Sequence, residues 1–208
     1  RDFFKLDNTF LLLYGNTTFN LRWNHLINDK TFSNTSLIYS DYYYGLQLDF
    51  VGFDWNSGIK NLNIKFDLKN YYSSNIQFNY GANIIYYDFN PGKIMPINKE
   101  SGINPSSLNK KFAFENAAYF DVIHKISNKI SVRYGLRFNQ FIRLKQLGLK
   151  SYLNNKPVVF DSVLKIYNGA EPLANNYSSD TNIFKSFNNI EPRFNLSFNR
   201  VDDSFKFS

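Results

Sequence analysis

The feature that most constrains this chain is a period of two. In NKISVRYGLRFNQF (128–141), Ile130, Val132, Tyr134, Leu136 and Phe138 alternate with Ser131, Arg133, Gly135, Arg137 and Asn139. Successive side chains of a β-strand point to opposite faces, so this pattern predicts a strand with one apolar and one polar side. The same rhythm recurs at Phe19, Leu21 and Trp23, at Leu62 to Leu68, at Ile76 to Tyr86, at Phe112 to Val122 and at Phe194 to Phe198. Residues 31–50 read as a longer, less regular strand, and the tail SFKFS starts another. The fold class expected is all-β and antiparallel, with about eight strands of about 10–15 residues, where soluble strands average about 5–6.

The links between these runs are unequal. Asn28 to Lys30, Asn70 to Ser74, Ser127 to Lys129 and Val201 to Ser204 are short, residues 51–57 are moderate, and residues 88–110 and 144–186 are long. Short and longer links alternate. In a meander of antiparallel strands, this puts all the short turns at one end of the sheet and all the long loops at the other. Outer-membrane β-barrels have that asymmetry, with short periplasmic turns and long extracellular loops. Structureless loops of this length count against a compact soluble domain. Within the longer loop, residues 158–169 carry the pattern of a small hairpin.

Composition narrows the alternatives. Aromatic residues reach 19%, including 22 Phe and 15 Tyr, which favours strands. Cysteine is absent, so there is no disulfide or thiolate chemistry. His25 and His124 stand far apart with no cysteine beside them, so no metal site is expected; each falls near a short turn on the apolar parity, as an interfacial anchor would. The net charge of +7 is scattered along the strands rather than gathered in a patch, so nucleic acid is not an expected partner. No run of 18 apolar residues offers a transmembrane helix, but a transmembrane strand needs only alternate apolar positions over about 9–11 residues. Tyr42 to Tyr44, Trp55, Tyr71, Tyr72, Tyr86 and Tyr87 gather near strand ends, where an aromatic girdle would lie.

Period two alone does not assign the faces. In a soluble sandwich the apolar face is buried and the polar face is wet. In a transmembrane barrel the apolar face meets lipid, and Arg22, Lys65, Glu115, Arg133, Arg137 and Arg193 line the lumen, where neighbouring carboxylates are their expected partners. Strand length and one-sided loops favour the barrel.

Five stretches taken in order, GNTTFNLRWNHLINDKTFSNTSLIYSDY (15–42), WNSGIKNLNIKFDL (55–68), NIQFNYGANIIYYDFNPG (75–92), NKKFAFENAAYFDVIHKISNKISVRYGLRFNQF (109–141) and FNNIEPRFNLSFN (187–199), resemble the barrel of TonB-dependent outer-membrane receptors of the Bacteroidota. The resemblance implies a barrel of about 22 strands around a plug, import of a scarce nutrient (an iron chelate, cobalamin, glycan or peptide), and a TonB-type energising protein. Residues 1–208 would then be a partial barrel domain set in outer-membrane lipid of a Gram-negative cell, completed by further strands and a plug. Residues 88–110 and 144–186 would be its extracellular loops. There Tyr152, Tyr167, Tyr177, Lys93, Lys99 and Lys156 are candidates to meet ligand, and a surface lipoprotein is a possible partner. A barrel scaffold without transport is the alternative, and a soluble carbohydrate-binding β domain is a more distant one. No Ser-His-Asp set or close carboxylate pair points to an enzyme; Glu115 and Asp121 share a face but lie roughly 20 Å apart along their strand. No cofactor is implied.

Overall fold

The computed structural model describes residues 2–6, 10–144, 152–173, 183–199 and 204–207. The strands are β1 (Asp2–Leu6), β2 (Phe10–Asn28), β3 (Thr31–Leu48), β4 (Phe53–Tyr71), β5 (Ile76–Pro96), β6 (Ser106–Ser107), β7 (Lys111–Lys125), β8 (Ile130–Leu144), β9 (Val158–Asp161), β10 (Ile166–Gly169), β11 (Ile183–Asn199) and β12 (Ser204–Phe207). All but β9 and β10 form one ten-stranded sheet of order β1-β2-β3-β4-β5-β7-β8-β11-β12, with β6 on β5. Every pairing is antiparallel. The order runs from β1 to β12 without returning, so the described residues form an open wall rather than a closed cylinder.

The soluble sandwich does not survive this topology. Among the described residues no second large sheet stacks on the wall. Among the described residues the only buried hydrophobic ones are Ala113, Ala117 and Val122, and the one large side chain wholly out of solvent is Asp121. A chain of this size that folded around its own apolar core would bury far more, because core burial is the dominant favourable term. Here the apolar side chains lie on the surface of a single layer. Phe19, Leu21, Trp23, Leu62, Ile64, Phe66, Leu136 and Phe138 are all well exposed.

The strand ends depart from expectation in two places. Residues 88–96, expected to open a long loop, continue β5 as far as Pro96. Asn90-Pro91-Gly92 is a bulge and not a turn: Asn56 pairs with Lys93 and Gly58 with Asn90, so one extra residue of β5 is taken up there. A bulge tolerates proline because it has no ladder hydrogen bond to lose. Gly92, with φ of 153°, carries the irregular backbone, and the Trp55 indole lies where a Cβ would sit. Residues 53–57, expected in a link, are the start of β4, leaving Asp49 to Gly52 as the turn. Short connections still occupy one end, at 29–30, 72–75 and 126–129. The long links, from β5 to β7 and from β8 to β11, start and finish at the other end, and the described part of the second contains the expected hairpin as β9 and β10.

Candidate functional site

The unbroken register of β3 on β4, and the ladders through β5, β7, β8 and β11, assign every side chain to one of two faces. One face carries Leu62 and the other Lys65. One row of the Leu62 face reads Trp23, Thr35, Phe66, Ala82, Ala118, Phe138, Ile190. The next reads Leu21, Leu37, Ile64, Ile84, Asn116, Gln140, Asn188.

Two polar lines cross this apolar face. On β3 to β5 it is Asp41, Lys60 and Asp88 in one row, with Lys60 Nζ 3.3 Å from Asp41 and Lys110 Nζ 2.8 Å from Asp88. On β7 to β11 it is Asn116, Gln140 and Asn188, joined by hydrogen bonds of 3.1 and 3.0 Å. The second line lies two rows nearer the short turns than the first. The short turns are displaced along the strands in the same direction, so the polar line runs parallel to the turn edge. From turn to line is about ten residues on β4 and on β8, the length a tilted strand needs to cross a hydrocarbon layer. Between the two edges the Leu62 face is almost wholly apolar.

The six residues expected to share a lumen, Arg22, Lys65, Glu115, Arg133, Arg137 and Arg193, all lie on the Lys65 face. Carboxylates and amides of the same face hold most of them. Arg133 meets Asp121 of the neighbouring strand at 2.6 Å, and Lys65 meets Asp67 at 3.0 Å. Arg137 donates to Asn139 (2.6 Å), Asn139 donates to Glu191 (2.6 Å), and Arg193 lies 3.5 Å from Glu191. Two glycines make room for this network. Asp67, Gly81 and Tyr119 stand in one row, and Tyr119 lies across Gly81 to donate to Asp67 Oδ1 at 2.5 Å. Gly135 stands beside Asp121, whose carboxylate and the Phe120 carbonyl occupy the space of a Cβ. A strand glycine often marks such a close approach. The amide oxygens of Asn34, Asn63 and Asn83 on this face are buried without a protein partner among the described residues.

Beyond the charged row the polarity of β3 to β5 inverts. The Leu62 face now carries Asn56, Asp54, Gln47 and Lys93. The Lys65 face carries Leu12, Leu46, Trp55 and Ile94 in one row and Phe10, Leu48, Phe53 and Pro96 in the next. Tyr44 packs edge-on against Trp55 with ring centroids 5.3 Å apart. Because β3 and β4 pair without a bulge, the inversion lies in the residues and not in the backbone. The aromatic cluster expected as a girdle is accordingly divided. Tyr43 and Tyr86 are on the Leu62 face, whereas Tyr42, Tyr44, Trp55 and Tyr87 are on the Lys65 face, since neighbours in a strand alternate. Near the short turns Trp23 stacks on His25 at 5.2 Å.

Two hollows open on the Lys65 face. One, of about 470 Å³ near the short turns, is lined by Asn24, Phe32, Lys65, Asp67, Tyr71 and Tyr119 among others. The other, of about 430 Å³ near the polar line, is lined by Ile59, Tyr87, Phe89, Ala113 and Phe141, with Lys111, Glu115 and Arg143. The loop candidates line neither. Lys93 is on β5 at the bulge, Lys99 in an exposed turn, Lys156 before the hairpin, and Tyr167 on β10 against Phe160 (5.1 Å). Tyr152 is half-buried ahead of a 3-10 turn, and Tyr177 lies outside the described residues. Among the described residues no group of His, Asp and Glu is arranged to hold a metal ion.

No protein-family model and no curated protein sequence matches the chain. Among solved structures it is similar to the copper transporter OprC, with a TM-score of 0.54 and 9% identity over 94% of this chain and 33% of that one. A weaker likeness, with a TM-score of 0.41 and 11% identity, is to the ferric-catecholate import receptor Fiu from E. coli K12 in its open form, over 91% of this chain and 33% of that one. The chain spans about a third of the length of each of these proteins, and the likeness to OprC is one of fold, an antiparallel sheet that resembles part of that structure.

Proposed function

We propose that the chain is a wall segment of a nutrient importer in the outer membrane of a Gram-negative bacterium, of the TonB-dependent type. The observation that carries this reading is the band on the Leu62 face. It is apolar and exposed, about ten residues tall, and bounded by the short turns on one side and a parallel polar line on the other. Lipid suits such a face, and a sheet suits lipid because its backbone groups pair within it. In this placement the short turns are periplasmic, the loops 97–110 and 145–182 extracellular, and the Lys65 face lumenal. The likeness of fold to a barrel transporter supports the placement.

The polar face suits a plugged lumen. The Arg133–Asp121 ion pair and the Asn139–Glu191 hydrogen bond tie neighbouring strands, and the unpartnered amide oxygens of Asn34, Asn63 and Asn83 offer acceptors to a plug. Further strands would complete the barrel at the β1 and β12 edges, and a TonB-type protein would act through the plug. The exposed hairpin β9–β10, with Val163 and Leu164 at its tip, is a contact surface for a surface lipoprotein. Fractionation of the producing cells tests the reading. The full-length protein is expected in the outer-membrane fraction, released only by detergent, and its deletion is expected to abolish growth on the nutrient it imports. Recovery in solution without detergent would overturn the proposal.

A further inference from the structure

The Lys65 face carries more positive charge near the short turns than its own carboxylates answer. From the row of Arg22 and Lys65 down to those turns, the described residues set Arg22, Lys65, Lys69, Arg133, Arg137 and Arg193 against Asp67, Asp121 and Glu191. All three carboxylates are engaged. Asp67 takes Lys65 at 3.0 Å and the Tyr119 hydroxyl at 2.5 Å, and Asp121 takes Arg133 at 2.6 Å. Glu191 accepts from Asn139 at 2.6 Å and lies 3.5 Å from Arg193.

Lys69 is left over, and its place in the sheet makes the surplus informative. It stands on β4, with β2 and β3 on one side and β5, β7 and β8 on the other. Its row reads Phe32, Lys69, Asn79, Asp121, so the strands that flank it offer a ring and an amide instead of a charge. Arg22, on β2, can meet a further strand at the sheet edge. Lys69 lies inside the sheet, and a counter-charge for it has to come from above the face.

The surface beside Lys69 is hollow. Phe32, Tyr71 and Tyr119, with Asn24 and Asn79, line about 470 Å³ there, and the Phe32 and Tyr71 rings meet edge-on at 6.0 Å. Aromatic walls and amides around one exposed ammonium group suit a protruding side chain with an apolar stem and a carboxylate end. Covering a cation without a counter-charge is costly, so a body that seals this hollow has to bring that carboxylate.

We infer that the hollow docks an acidic segment of the plug, with an Asp or Glu side chain seated on Lys69. The inference rests on the importer reading for the plug itself and deepens it by giving the chemistry of the contact. The plug surface that faces β3 to β8 near the periplasm is negatively charged, and charge complementarity of this kind fixes how a partner is seated.

The test treats the full-length protein in lipid nanodiscs with a water-soluble carbodiimide, which joins a carboxylate to a touching amine without a spacer. Mass spectrometry of the digest is expected to find Lys69 linked to an Asp or Glu outside residues 1–208. Lys69→Arg keeps the charge but has no amine to link, and is expected to lose the link with the barrel still closed. Lys69→Glu is expected to loosen the plug and make cells severalfold more sensitive to vancomycin, which a closed barrel excludes. Each variant is checked for outer-membrane recovery and heat-modifiable mobility, so misfolding is recognised. Lys69 linked only to carboxylates within residues 1–208, or carrying the mass of a small free acid, would overturn the docking. So would an unlinked Lys69 together with unchanged vancomycin sensitivity in a folded Lys69→Glu variant; with recovery in the outer membrane, that result leaves the importer reading standing. A Lys69 link to an acidic segment in protein found only in solution supports the acidic contact and sinks the importer reading.

Discussion

The lower and upper halves of β3 to β5 obey opposite rules. Below the row of Asp41, Lys60 and Asp88 the Leu62 face is apolar and the Lys65 face is a network of charges and amides. Above it Leu46, Trp55 and Ile94 stand on the Lys65 face, and Asp54, Asn56 and Lys93 on the Leu62 face. The backbone runs through without changing its register between β3 and β4. On the proposed placement what differs is the surroundings: lipid outside and polar groups inside below the row, water outside and an apolar lumenal surface above it. Hydrophobic parity in a single-layer wall therefore records what touches each side at each height.

The largest effect is expected from breaking the lower rule. Leu136→Arg puts a charge in the middle of the apolar band and is expected to cost about 2–4 kcal/mol, whereas Thr17→Arg, in the charged row, costs about 0–1 kcal/mol. Urea titration of the folded protein in lipid measures both, and equal costs would remove the distinction between the halves. Next is the polar network of the lower half. Asp121→Ala leaves Arg133 facing an emptied site beside Gly135, at an expected cost of about 2 kcal/mol in the same titration. Its upper counterpart, Trp55→Ala, uncovers Gly92 and Tyr44 on a half-exposed surface, and about 1 kcal/mol is expected. The smallest effect sharpens the boundary. Gln140→Leu breaks the hydrogen bonds to Asn116 and Asn188 but replaces a polar group with lipid-compatible surface. A change of no more than about 0.5 kcal/mol is expected, because burying an apolar group offsets the lost bonds. A loss above about 2 kcal/mol would mean that the polar line is structural rather than a boundary.

Much of the wall was legible in the sequence because period two needs no knowledge of neighbours. Ile130 to Phe138 and Leu62 to Leu68 declare their strands, and which side chains share a side, by their own alternation. The Lys65-face set of Arg22, Lys65, Glu115, Arg133, Arg137 and Arg193 followed from the same parity. The inversion was also written in the sequence. In FDWNSGIKNLNIKFDL the apolar residues sit at odd positions through Ile59 and at even positions from Leu62. It escaped because residues 51–57 looked like a link, and a strand that changes parity resembles two elements. NPG likewise fell in the long link expected at 88–110, and only pairing shows it to be a bulge within a strand. The bridging of Gly81 by Tyr119 and the gathering of Ile59, Tyr87 and Phe141 into one hollow depend on register between strands, which no single strand encodes. The loop tyrosines and lysines were chosen by residue type alone, and those described lie on separate segments.

The most direct test is a depth scan along β4, in a background with any cysteine outside these 208 residues replaced, since residues 1–208 have none. Single cysteines from residue 54 to residue 69 of the full-length protein in lipid vesicles would each carry a fluorophore, quenched in turn by a lipid-soluble and a water-soluble agent. The expected result is strong lipid quenching at 62, 64, 66 and 68, little at 61, 63, 65 and 67, and loss of lipid quenching at both parities from residue 60 back to residue 54. Lipid quenching that continues at even positions through 56 and 54, or water access at every position from 61 to 69, would contradict the account.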